Sequence, residues 1–151
     1  MNDVDKFLAH AVALERDAAR RYEDLAASMG TDGNAELRAF FARMAHFSRL
    51  HLAEAQARAG FRTLPVLGPD DFDWPEGIPP ETAEWAGVDP MMDAADALAL
   101  ALDGERRGHA FYAAIAALST DHEVRTLAAE FAAEEAQHVA ELEKLAAAAA
   151  R

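Results

Sequence analysis

The sequence predicts an all-α protein, a four-helix bundle built as two helical hairpins joined by a long helix 2–helix 3 crossover. Three observations predict it. Four long stretches of the 151-residue chain carry apolar residues at helical spacing, with no sustained alternation of period two. The prolines gather in one connecting stretch, so they break the chain in one place only. Finally, the first half of the sequence returns in the second half with its chemistry in register.

Each element has its own justification. Residues 3–29 read as one helix, because Phe7, Leu8, Val12, Leu14, Ala18, Tyr22 and Leu25 recur roughly every three or four positions. Gly30 and Thr31-Asp32-Gly33 end it and start the next. Residues 34–59 read as a second helix with Leu37, Phe40, Phe41, Met44, Phe47, Leu50 and Leu52 on its apolar face, stopped by Gly60. Residues 60–89 form the crossover, where Pro65, Gly68, Pro69, Pro75, Gly77, Pro79 and Pro80 forbid a long helix. Its Phe72, Trp74, Ile78 and Trp85 predict that it packs on the domain. A connection this long lets the third helix start at the same end as the second. Asp89-Pro90 reads as an N-cap followed by Pro at the first helical position, opening a helix over 90–118. Ser119-Thr120-Asp121 supplies the turn and the next cap, and the fourth helix covers 122–148. The whole is one domain, 1–151.

Composition excludes several function classes. The formal net charge is −13, the opposite of the basic footprint that nucleic acid or an anionic membrane surface requires. There is no cysteine, which removes disulfides, thiolate metal sites and Cys nucleophiles. No basic-then-apolar leader is visible, and no apolar run reaches the roughly 18–20 residues of a membrane span. A cytoplasmic protein is expected.

The internal repeat carries the chemistry. Glu15, Tyr22 and Leu25-Ala26 match Glu105, Tyr112 and Ile115-Ala116 at an offset of 90. His51-Leu-Ala-Glu54 matches His138-Val-Ala-Glu141, and Glu36-Leu-Arg38 matches Glu123-Val-Arg125, both at an offset of 87. In the fourth helix, Glu135 and His138 stand three apart and so share a face. One Glu–His pair at this spacing reads as a solvated surface by itself. The repeat turns it into a set of five metal-ligand candidates drawn from all four helices: Glu15, His51, Glu105, Glu135 and His138. A Glu plus Glu-x-x-His motif from paired helices is how carboxylate-bridged dimetal sites are built. The position matching Glu135 in the second helix is Ser48. Tyr22 and Tyr112 are expected in the core, with hydroxyls that hydrogen-bond the ligand carboxylates. His109 is expected at the surface or beside the site, His10 at the surface, and His122 at a helix start. His46 has no assigned role.

With these residues in view, the chain resembles the rubrerythrin-like branch of the ferritin-like superfamily along all four helices. The resemblance rests on Glu15 with Tyr22, Glu105 with Phe111-Tyr112, the segment Phe41-Ala-Arg-Met-Ala leading to His51, and Phe131-Ala-Ala-Glu-Glu-Ala-Gln-His138. It implies two metal ions, iron first, with peroxide or O2 reduction or Fe(II) oxidation as the chemistry. It implies that Glu15 and His51 terminate one metal, that Glu105 and His138 terminate the other, and that Glu135 bridges. A homodimer is implied too. Electrons would come from an external donor, because there is no cysteine to hold a rubredoxin-like iron. The second bridging carboxylate belongs at position 48. Serine there removes a charge that two divalent cations need. The expected consequence is a weaker site, zinc or manganese in place of iron, or a non-catalytic helical scaffold or binding module. No catalytic residue is identifiable from the sequence.

Overall fold

The computed structural model describes residues 1–28, 35–75 and 94–149. The Gly30–Gly33 turn, Ile78, Trp85, the Asp89-Pro90 helix start and Met91-Met92 lie outside the described residues. The chain forms a four-helix bundle of α1 (Val4–Ser28), α2 (Ala35–Ala59), α3 (Ala94–Leu118) and α4 (His122–Ala149). Among the described residues, no helix is long and apolar enough to cross a membrane.

Helix ends are fixed by short polar contacts. The Asp3 carboxylate accepts from the backbone N–H groups of Asp5 and Lys6, satisfying donors that the first turn of α1 leaves open. Asp121 does the same for α4, accepting from Val124 N–H at 3.0 Å. Asn2 reaches across to the α3–α4 turn, where its Oδ1 accepts from the Ser119 hydroxyl and the Thr120 N–H. Gly60 ends α2 at φ +56°, a left-handed conformation that side chains disfavour.

α1 packs on α2, and α3 packs on α4, as two hairpins. Two apolar layers then join the hairpins, one at each end of the bundle. Phe7, Leu8 and Leu14 of α1 meet Ala55 and Ala59 of α2, Phe111 and Ile115 of α3, and Val124 and Phe131 of α4. At the other end Leu25, Leu37, Phe41, Leu98 and Leu142 come together. The start of α2 therefore lies beside the start of α3. The two helices run parallel, so the end of α2 and the start of α3 lie at opposite ends of the bundle. Each fully buried Phe or Leu of these layers is worth roughly 1.5–3 kcal/mol relative to exposure.

The first part of the crossover is tied back onto α1. Asp73 pairs with Lys6 at 2.7 Å, and Arg62 pairs with Asp5 at 3.0 Å. Trp74 is buried, stacked on Phe72 and packed on Phe111.

Two expectations are corrected here. His10 is not at the surface; it is fully buried. Its ring lies among Phe72, Trp74 and Phe111, with Nδ1 2.8 Å from the Lys6 carbonyl and Nε2 accepting from Asp73 N–H at 2.8 Å. Leu50 does not belong to the apolar face of α2 and is half exposed. It stands two residues past buried Ser48, about 200° around the helix, and so points away from the bundle.

Candidate metal centre

Between the two apolar layers, the bundle interior turns polar. Glu15 on α1, Glu105 on α3 and Glu135 on α4 are each buried to 4 % exposure or less. Carboxylates are almost never buried to this extent without a compensating partner. His138 of α4 is buried beside them, and His51 of α2 is mostly buried. The five residues singled out by the repeat are thus all in the interior. All four helices contribute, because Glu15, His51, Glu105 and Glu135 each fall on the face that carries their helix's apolar stripe.

The arrangement follows the repeat. In the first hairpin, His51 Nδ1 faces Glu15 Oε2 at 3.8 Å. In the second, His138 Nδ1 faces Glu105 Oε2 at 3.5 Å and Glu135 Oε2 at 3.9 Å. The two imidazoles stack across the seam between hairpins, 5.0 Å apart and 12° from parallel. Ligand atoms of His51, Glu135 and His138 all lie within 4.8 Å of one another. These separations are too long for direct bonding yet suit donors that share one or more cations at about 2 Å each.

The tyrosines cross over. Tyr22 of α1 donates to Glu105 Oε1 of α3 at 2.5 Å, and Tyr112 of α3 donates to Glu15 Oε1 of α1 at 3.2 Å. Each hairpin supplies the hydroxyl that orients the other hairpin's glutamate. In both cases the hydroxyl takes one carboxylate oxygen and leaves Oε2 turned toward an imidazole nitrogen.

Electrostatics at the centre set burial against close neighbouring groups. Burial pushes the Glu105 carboxyl up, but the neighbouring Glu135 carboxyl, the His138 imidazole and the Tyr22 hydroxyl outweigh it, and the net shift is downward. Burial pulls His51 down, while Glu15, Glu134 and Glu105 pull it up and prevail. Glu105 Oε2 and His138 Nδ1 face each other, yet neither makes a hydrogen bond, although both atoms are sealed from solvent. Such a pair costs free energy unless something sits between its members.

One member of the centre escaped the sequence reading. Glu134 Oε2 stands 3.4 Å from His51 Nε2, on the side of the ring away from Glu15. Burial raises its carboxyl, Glu54 and Glu15 raise it further, and His51 opposes them. A carboxylate on the far nitrogen of a ligating imidazole fixes its tautomer and orientation. The available signal was Glu134-x3-His138, since residues four apart on a helix also share a face. Ser48 is buried one turn before His51, and its side chain offers no charge. His109 is partly buried, and His46 and His122 are exposed.

Fold and geometry together define a four-helix bundle with an interior carboxylate–imidazole cluster. No family model matches the chain, and no curated protein matches it. Among solved structures, the crystal structure of COG1633, an uncharacterized conserved protein from Magnetospirillum magnetotacticum MS-1, aligns with a TM-score of 0.79 at 40% identity. The alignment covers 95% of this chain and 93% of that one. The chain belongs to the COG1633 family.

Proposed function

We propose that this chain is a rubrerythrin-like, ferritin-like metal-carboxylate protein that binds iron between its hairpins and acts as an iron-dependent oxidoreductase. The observation that carries the reading is the buried pair of Glu105 Oε2 and His138 Nδ1, 3.5 Å apart and without a hydrogen bond, beside a converging His51–Glu135–His138 donor set. A carboxylate oxygen and an imidazole nitrogen in that relation suit a shared cation. Glu15 and His51 would hold one metal, Glu105 and His138 the other, and Glu135 would bridge. Iron bound there supplies one-electron chemistry toward peroxide or O2, or is itself oxidised from Fe(II). The chain's own residues hold the charge and the geometry. Tyr22 and Tyr112 keep two carboxylates aimed inward, Glu134 places a carboxylate beside the far nitrogen of His51, and the apolar layers above and below exclude water.

Buried Ser48 favours a second reading, in which a single iron or zinc ion occupies the His51–Glu135–His138 group and the partner position stays weak. Elemental analysis of protein from iron-supplied medium decides between the readings. Two metal equivalents support a dimetal centre, and one supports the single ion. Glu135→Ala is expected to lose most of the metal in either case. A parent protein that purifies without stoichiometric metal, and takes none up from Fe(II), Mn(II) or Zn(II), would sink both.

A further inference from the structure

On the outside of α1, away from the bundle interior, lies a groove of about 460 Å3. Its α1 wall is Ala13, Arg16, Asp17 and Arg20, residues spaced to share one helix face. Its opposite wall is Pro69, Phe72 and Trp74 of the crossover. Phe72 and Trp74 are stacked 5.1 Å apart and 8° from parallel, and the buried His10 ring supports both from behind. The aromatic wall is therefore rigidly held.

The charges in this groove run against the rest of the molecule. The protein has 27 Asp and Glu against 14 Lys and Arg, and about half of its arginines pair with a carboxylate among the described residues. Arg49 pairs with Glu23, Arg58 with Glu130, Arg62 with Asp5, Arg106 with Glu143 and Arg107 with Asp103. Arg16 and Arg20 make no ion pair with the described residues, although carboxylates abound. Arg38, Arg43 and Arg125 share that condition but do not line the groove. The one acid in the wall, Asp17, lies 4.0 Å from Arg21, its partner one turn along the helix. Two arginines without an ion pair and a stacked aromatic pair therefore line one space of ligand size.

We propose that this groove binds a small planar aromatic anion, its ring against Phe72 and Trp74 and its carboxylate or phosphate held by Arg16 and Arg20. Guanidinium forks match both head groups, and charge-assisted hydrogen bonds supply the selectivity over a neutral ring. The volume accommodates one or two fused rings with the head group. The binding is independent of metal in the bundle interior.

The test is a titration of the full chain, 15N-labelled, with 2-naphthoate, 2-naphthyl phosphate and neutral 2-naphthalenemethanol, following the Trp74 indole N–H signal. At least one anion is expected to shift that signal and to bind about tenfold or more tighter than the alcohol. The tighter of the two identifies the head group as carboxylate or phosphate. Arg16→Gln/Arg20→Gln, both at exposed positions, is expected to erase the tenfold preference while leaving the free-protein Trp74 signal in place. Equal affinity for alcohol and anions overturns the proposal. So does a silent Trp74 signal at millimolar probe, or a double variant that binds the anions as the parent does.

Discussion

Ser48 and Glu134 change the donor set in opposite directions, one removing a carboxylate and the other bringing one in. Replacing Ser48 by Glu puts a charged group into a buried position. The metal-free Ser48→Glu protein is expected to melt lower, because an uncompensated interior carboxylate is costly. Its metal content is expected to rise toward two equivalents by elemental analysis. Unchanged content would mean that position 48 does not face the cluster. Glu134→Gln keeps the size of the side chain and removes its charge from His51 Nε2. Metal affinity, measured by competition with a chelator, is expected to drop about 10- to 100-fold. An unaltered affinity would leave Glu134 without an orienting role. Glu15, Glu105, His51 and His138 were legible in the sequence because the repeat named each of them twice. Glu134 was not, because its spacing to His138 marks only a shared face, while the residue it meets, His51, lies on another helix. His10 was not legible either. The matching position in the second half is Leu100, so the repeat says nothing about it.

Among the elements, the crossover depends most on a single residue. His10 donates or accepts at both ring nitrogens, with the Lys6 carbonyl on one side and the Asp73 N–H on the other. An N–H donor at Nε2 requires that nitrogen to be unprotonated, so the neutral ring is the one that latches Asp73 to α1. Burial depresses His10 below its ordinary value of 6.5, against the opposing pulls of the Lys6 carbonyl and Asp73, while Lys6 and the N-terminal amine add to the depression. The folded form disfavours the charged ring, so the latch's contribution is complete above about pH 6.5 and shrinks as pH falls toward the depressed value. The slope for one proton is at most about 1.4 kcal/mol per pH unit. Urea midpoints measured from pH 8 to 5 are expected to show this decline in the parent and not in His10→Gln. Parallel curves would assign the acid sensitivity elsewhere. The four helices themselves were readable from apolar spacing and caps. So was the break beyond Gly60, where residues 61–75 are not α-helical. Where that connection lies on the bundle was not readable, since it hangs on a hydrogen bond and two ion pairs between residues some 60 positions apart.

At the scale of the molecule, the candidate centre straddles the seam between two hairpins that otherwise pack mainly within themselves. A cation held by both would bind only the assembled bundle. At a hundredfold excess over its dissociation constant it would stabilise by about 2.7 kcal/mol, a rise of roughly 5–10 °C in Tm for a chain this size. Calorimetry of metal-free protein with and without added Fe(II) under nitrogen, or with Mn(II), measures this. A Tm that no metal moves would detach the centre from cation binding. The reciprocal tyrosine contacts carry a historical consequence. Because Tyr22 serves Glu105 as Tyr112 serves Glu15, either half meeting an identical twin would find the same hydroxyl waiting for the same acid. A short ancestral peptide of two helices could thus have worked as a self-complementary pair before duplication fused the copies. Once joined, the halves were free to diverge, and serine at 48 opposite glutamate at 135 is one trace of that freedom.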